Sequence, residues 1–498
     1  MRTSTFKKRD CKIIWDILID LACIFCLARM ITMLCFMDNS LYQTQKNVHA
    51  SHAILFLALF MFITQRVRLI NWQSLIVSLV YWPFAYLYRI RYIESADLFS
   101  RDKTVVWIVW IVLLIIVDMV VYKKVNPLRR FHPIALSVYG AMTFFMIFYR
   151  NGRTYPIILV LAFVFYLMPL RKEQWNKILF QFSVSWIIAF YYMLYRSLKY
   201  NPTVNENGRW YGEFVNIGDF GIFTACTIVV ILFQIYQSKK RFGRKSVPYV
   251  LCVICLLPVI WTVFRVSTIT MFIGIGCIFL MGFVLLRKDT SVKAVLVRLI
   301  GVLLGVAALV FVGLLLLQTL ANTDAEYWEN LLVNGNAFIK PLANIIHRAH
   351  YMFSETRTFS DSDVFRPDSL INYLDLFASG RLSICALFAE KFNYIGNASE
   401  GIQVGTYFAY NAHNTYVQTL YEYGYVGGGL YIVWMLYSTG ASMAQYMKEK
   451  KLVKVLPALW LAMTLGVQLG ESSNLYSSLL VMTLIIIYPL MIQMDEEL

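Results

Sequence analysis

His413 opens the run Ala412-His413-Asn414-Thr415-Tyr416-Val417-Gln418, at the border between a long polar stretch and an apolar span. An imidazole at a water–lipid border can act as a base near neutral pH. The plain alternative is an interfacial histidine ahead of a helix, with Asn414 as its N-cap. Arg381 follows Gly380 and opens Arg381-Leu382-Ser383-Ile384-Cys385-Ala386-Leu387-Phe388-Ala389, a pattern that predicts a short amphipathic helix. A guanidinium there is either a solvated surface charge or a fork of donors for a phosphate. Arg265 is the only charge between Lys245 and Arg287. In a turn between apolar runs it either snorkels to the interface or binds an anion, because a buried arginine is costly unless paired. Arg209 is a similar candidate.

Other spacings carry less. Asp361-Ser362-Asp363 has the form of a metal-dependent glycosyl transferase motif, but reads first as a solvated turn. His347 and His350 share a helix face without a third ligand. Cys252-Val253-Ile254-Cys255 lies mid-span with no partner pair and reads as packing. Asp16, Asp20 and Arg29 fall in or beside the first span, where pairing between helices is the first reading and an ion path the second. No metal site and no cofactor is expected. Nucleotide, zinc and serine-nucleophile motifs are absent from the sequence.

The elements that must position these groups are almost all membrane helix. The chain is 59% hydrophobic and 15% charged over 498 residues; a soluble core of this size does not need so much apolar surface. The expected fold is an all-α polytopic bundle of about 12–14 transmembrane helices. Spans are expected at 13–36, 51–65, 74–92, 104–122, 133–149, 155–170, 177–197, 216–237, 247–264, 267–286, 295–320, 415–446, 454–470 and 473–492. The net charge of +16 comes largely from short loops between spans, a positive-inside pattern rather than a nucleic-acid footprint. Most basic loops fall on one side if both termini are cytoplasmic; the loop around Arg89, Arg91, Arg101 and Lys103 breaks the pattern. The basic residues before Ile13 resemble a signal n-region, but the following segment is too long for one and reads as an uncleaved helix. Of nine cysteines, Cys385 is the only one in the large outer loop, so no disulfide framework is implied. Three regions result: an N-terminal bundle over 1–320, a large extracytoplasmic loop over 321–412 with short amphipathic helices lying on the membrane, and C-terminal spans over 413–498.

From Ala412 to Gly427 the chain resembles the HN-x-x-L-x-x-x-x-E-x-G-x-x-G signature of the O-antigen ligase and O-antigen polymerase superfamily, with His413, Asn414, Glu422, Gly424 and Gly427 at its positions. Gly380-Arg381, then Gly396 and Gly405, is similar to the family's glycine–arginine segment. Phe264-Arg265-Val266-Ser267-Thr268 looks like its serine–arginine turn, and Arg209 to Asn216 like its Gly-x-x-x-N region. The chain departs from the pattern at Val417, Ile384 and Phe264, where the family usually has leucine, tryptophan and serine. The resemblance implies a GT-C-like, metal-independent, inverting glycosyl transfer on the outer face of a bacterial cytoplasmic membrane. The implied donor is a glycan on undecaprenyl pyrophosphate, with a glycan acceptor. His413 would act on the acceptor hydroxyl, Arg381 and Arg265 would hold the pyrophosphate, and Arg209, Asn414 and Glu422 would bind substrate.

Within that resemblance the first reading is a surface-polysaccharide polymerase, and the close alternative is a ligase moving finished glycan onto a lipid or protein. A lipid-linked oligosaccharide flippase is a third. A transporter would gather polar groups at the bilayer midplane in related repeats, and no repeat is visible. A metal-dependent transferase using Asp361 and Asp363, or a non-catalytic scaffold, remains further off. The expected partners are the lipid bilayer, a flippase and a chain-length regulator, and no nucleic acid.

Overall fold

The run of apolar residues from Ile13 onward forms one long helix, α1 (Arg2–Met37), which continues through the basic residues ahead of it. The computed structural model describes residues 2–37, 46–67, 71–88, 101–122, 137–141, 172–200, 212–214, 217–237, 265–279, 325–335, 381–397, 401–404, 407–409, 411–449 and 455–470, with isolated positions between them. These residues are nearly all helical. After α1 come α2 (Lys46–Gln65), α3 (Trp72–Tyr88), α4 (Arg101–Val121), α5 (Lys172–Tyr200), α6 (Ile217–Gln237) and α7 (Arg265–Phe279). Then follow α8 (Ala325–Asn334), α9 (Arg381–Ala389), the strands β1 (Ile402–Val404) and β2 (Tyr407–Ala409), α10 (Thr415–Glu449) and α11 (Val455–Gly470). The chain is an all-α helical membrane protein. Among the described residues, Ile13–Phe36, Val48–Gln65, Lys103–Val121, Gln174–Tyr200 and Gly218–Ile235 are long and apolar enough to cross a bilayer. The spans expected at 133–149, 155–170, 247–264, 295–320 and 473–492 lie wholly or mostly outside the described residues.

Local chemistry sets several helix ends. Asn71 caps α3, its Oδ1 accepting the Ser74 amide at 2.6 Å. The α3–α4 hairpin is then tied along its length: Asn71 Nδ2 donates to the Tyr122 hydroxyl, Trp110 Nε1 to Ser78 Oγ, and the Tyr81 hydroxyl to the Val106 carbonyl. At the end of α2, Arg66 takes a left-handed φ of 53°. Its amide bonds Ile63 O and that of Val67 bonds Phe62 O, the pair of bonds of a Schellman cap.

Two polar belts cross the bundle. At one, Asp16 accepts Arg66 Nη2 at 2.7 Å, while Asp20 accepts Lys177 Nζ at 2.6 Å and Gln181 Nε2 at 3.0 Å. Asp16 and Asp20 thus pair between helices, and Arg29 stands over the Phe56 ring. At the other belt, Phe36 meets His49 and lies 5.0 Å from the Arg196 guanidinium. Arg196 also grips both oxygens of Glu213, at 2.7 and 3.0 Å. Glu213 is 1% exposed, so losing its partner would strand a charge in the interior. These contacts run α1 antiparallel to α2 and parallel to α5. Asp16 and Phe36 are 20 residues apart in α1, about 30 Å of helix, close to the thickness of a hydrocarbon core.

Between the belts the packing is aromatic. Trp460 of α11 sits edge-on to Phe182 and Trp186 of α5, with centroids 5.3 and 4.7 Å away, and Trp186 Nε1 donates to Thr227 of α6. Hydroxyls of Ser183, Thr224, Thr227 and Thr464 bond the carbonyl one turn back, so these buried polar groups are satisfied inside their own helices. On α11, Gly466 faces Ile273 of α7 closely enough that a Cβ would meet its side chain at 2.5 Å.

Two features depart from the expected pattern. The segment 321–412, expected to carry short amphipathic helices, also holds the antiparallel hairpin β1–β2, pairing Ile402 with Ala409. The span expected at 415–446 is not one rod: Gly424, at φ 69° and ψ −176°, breaks α10 into arms 415–423 and 425–449.

Candidate active site

Asn414 is the N-cap of α10: its Oδ1 accepts the amides of Tyr416 at 3.0 Å and Val417 at 3.1 Å. Its Nδ2 donates to the Leu469 carbonyl of α11 at 3.0 Å. Arg381, the first residue of α9, donates from Nη1 to the next carbonyl, Gly470. The Leu469 and Gly470 carbonyls of α11 thus take an amide from one element and a guanidinium from another.

His413 immediately precedes the Asn414 anchor in the chain. Its φ of 49° is left-handed, uncommon for a residue with a side chain, and its amide donates to Asn411 Oδ1 at 3.1 Å. The residue before it is held from both sides. The Cys385 thiol, one turn after Arg381, donates to the Ala412 carbonyl at 3.0 Å, and the Ala412 amide donates to Gln418 Oε1 at 2.8 Å. Gln418 Nε2 in turn donates to Glu422 Oε1 at 2.7 Å, one turn further along. A small apolar cluster of Phe388, Ala409, Ala412 and Tyr421, separate from the bundle core, supports this layer. Phe388 packs edge-on to Tyr421 at 4.8 Å.

The break in α10 is filled by another part of the chain. In a continuous helix the Tyr425 amide would bond the Tyr421 carbonyl. Here both groups turn to the 393–397 loop: the Asn397 amide donates to Tyr421 O at 2.7 Å, and the Tyr425 amide donates to Asn393 O at 3.0 Å. The backbones meet closely. A Cβ on Gly424 would lie 2.3 Å from Tyr394 O, and one on Gly396, at φ 87°, would lie 2.3 Å from Glu422 O. The loop just after α9 is thereby keyed into the helix that follows His413.

The structure thus brings Arg381, His413 and Asn414 to the C-terminal end of α11, with Glu422 joined to them through Gln418. Arg265 opens α7, which packs on α11 through Ile273 and Gly466; the Arg265 side chain lies outside the described residues. Arg209 also lies outside them, as do Asp361, Asp363, His347, His350, Cys252, Cys255, Gly380 and Gly405. Among the described residues no three His, Cys, Asp or Glu side chains gather as a metal would require. Sequence reasoning missed Cys385, Gln418 and the 393–397 loop. The only signal for the break was a glycine inside an apolar run.

What these elements define is a membrane helix bundle with a polar site on one helix terminus and one broken helix. No protein-family model, curated protein or solved structure matches the chain.

Proposed function

We propose that this protein is a metal-independent, GT-C-like glycosyl transferase of the bacterial cytoplasmic membrane. Its substrates are repeat units carried on undecaprenyl pyrophosphate, which it joins on the outer face into a surface polysaccharide. The observation that carries the reading is the meeting of Arg381, His413 and Asn414 at the end of α11. These are the residues that carry the O-antigen polymerase and ligase resemblance, and they come from segments about 30 residues apart.

In this reading the imidazole of His413 takes the proton of an acceptor sugar hydroxyl. The hydroxyl oxygen attacks the anomeric carbon of the donor with inversion. The bond from that carbon to the pyrophosphate oxygen breaks, and its electron pair leaves with the lipid pyrophosphate. Arg381 and Arg265 hold the two phosphates and offset the charge that develops there. The Gly470 carbonyl fixes the guanidinium plane before substrate arrives. The energy comes from the donor, so no nucleotide is needed.

The test is glycan length in cells lacking the native protein, complemented with wild type, His413→Ala or Arg381→Ala at matched expression. Wild type is expected to give polymer ladders and both variants single repeat units on the final acceptor. Normal ladders from the variants would remove the catalytic assignment. Loss of attachment itself in the variants would turn the reading to a ligase.

A further inference from the structure

Two orphaned polar atoms belong to residues within two positions of the anchors of this site. Gln468 precedes Leu469 and Gly470, the two residues whose carbonyls hold Asn414 and Arg381. It is fully buried, and its Nε2 donates to the hydroxyl of Tyr431, which is also fully buried. Its Oε1 is buried with no hydrogen-bond partner. Turning the amide over would pair the oxygen and orphan the nitrogen instead, so one end stays unsatisfied either way. Tyr416, two residues after the Asn414 cap, packs its ring 6.3 Å from that of Tyr431, and its hydroxyl is likewise buried without a partner.

A buried polar atom with no partner costs stability that the chain could recover with leucine or phenylalanine. Here there are two, one an acceptor and one a donor, grouped around Tyr431, on residues two positions from Asn414 and from Gly470. A sugar hydroxyl both accepts and donates a hydrogen bond. We infer that Gln468 and Tyr416, with Tyr431 between them, form a subsite for a hydroxyl of the acceptor glycan. The inference rests on the glycosyl-transfer reading and extends it by naming groups that bind the acceptor rather than the pyrophosphate. The subsite would select acceptors by hydroxyl position, because a sugar lacking that hydroxyl would leave both protein atoms unpaired.

Gln468→Met and Tyr416→Phe keep size and remove the polar atoms. Each is compared with wild type and His413→Ala in the same ladder assay, and the purified proteins are melted in a lipid nanodisc. The expected result is polymer yield reduced roughly tenfold or more, as for a lost substrate hydrogen bond, with the melting temperature unchanged or raised. Normal ladders in Gln468→Met and Tyr416→Phe, with His413→Ala inactive, would overturn the subsite and leave the transferase reading standing. Yield and melting temperature falling together would also overturn it, since the pair would then only hold helices together. Normal ladders in His413→Ala would overturn both readings at once.

Discussion

His413 occupies a backbone conformation that suits glycine better than histidine, and this separates its two roles. A left-handed φ costs a residue with a Cβ about 1 kcal/mol, and nothing about capping α10 requires an imidazole there, because Asn414 makes the cap itself. His413→Gly is therefore expected to leave the melting temperature unchanged or raise it slightly, while the glycan ladder disappears. A large fall in melting temperature would mean that the ring is a packing group. Arg381 allows a matching contrast. A lysine can still place a positive charge at the end of α11, but it cannot present a planar fork to two phosphate oxygens while bonding Gly470. Arg381→Lys should thus keep most of the stability and lose most of the activity.

The loop 393–397 and the break in α10 act as one element. The loop replaces both halves of the hydrogen bond that Gly424 removes, and the two glycines touch backbone to backbone. Alanine at Gly424 or Gly396 adds a Cβ about where a carbonyl oxygen stands, in a φ region that disfavours it. Each is expected to cost about 2 kcal/mol or more. The damage should reach activity as well, since the same loop leads back through Lys391 to α9 and Arg381. Thermal melting and the ladder assay should fall together for these variants, unlike for His413→Gly; a normal melt would show that the loop is not keyed into the break. Such a device explains what could be read in the sequence. The Asn414 cap and the helix beginning at Arg381 were legible because their causes lie within a few residues. The helix ends of α2, α4, α5, α6 and α11 follow hydropathy and fall close to the expected spans. The break was not legible, because an unpaired turn in the middle of an apolar run is affordable only with a partner some 30 residues away in sequence. The Arg196–Glu213 pair and the carbonyls of α11 escaped notice for the same reason: tertiary contact gives them their roles.

At the scale of the whole molecule the two polar belts fix where a bilayer can sit. The carboxylates Asp16 and Asp20 with Arg66 and Lys177 mark one border, and Arg196 with Glu213 and His49 marks the other, with about 30 Å of α1 between them. The basic residues ahead of Ile13 lie at the first border, which the positive-inside rule assigns to the cytoplasm. On that reading Lys199, exposed at the end of α5, would face outward with the second border. The transferase reading adds that Tyr394, 78% exposed beside the break in α10, shares that outer side. Single cysteines at Ser4, Lys199 and Tyr394 test this with a membrane-impermeant maleimide, scored against wild type, whose Cys23, Cys26, Cys35 and Cys226 are buried. Lys199→Cys and Tyr394→Cys are expected to label in intact cells, and Ser4→Cys only after lysis. If Lys199→Cys and Tyr394→Cys labelled from opposite sides, the site would lie on the face away from the Arg196 belt. Labelling of Tyr394→Cys only after lysis would place Arg381 and His413 in the cytoplasm, where the pyrophosphate-linked repeat units that the transferase reading requires would have to be polymerised before export, and that reading would fail at its premise.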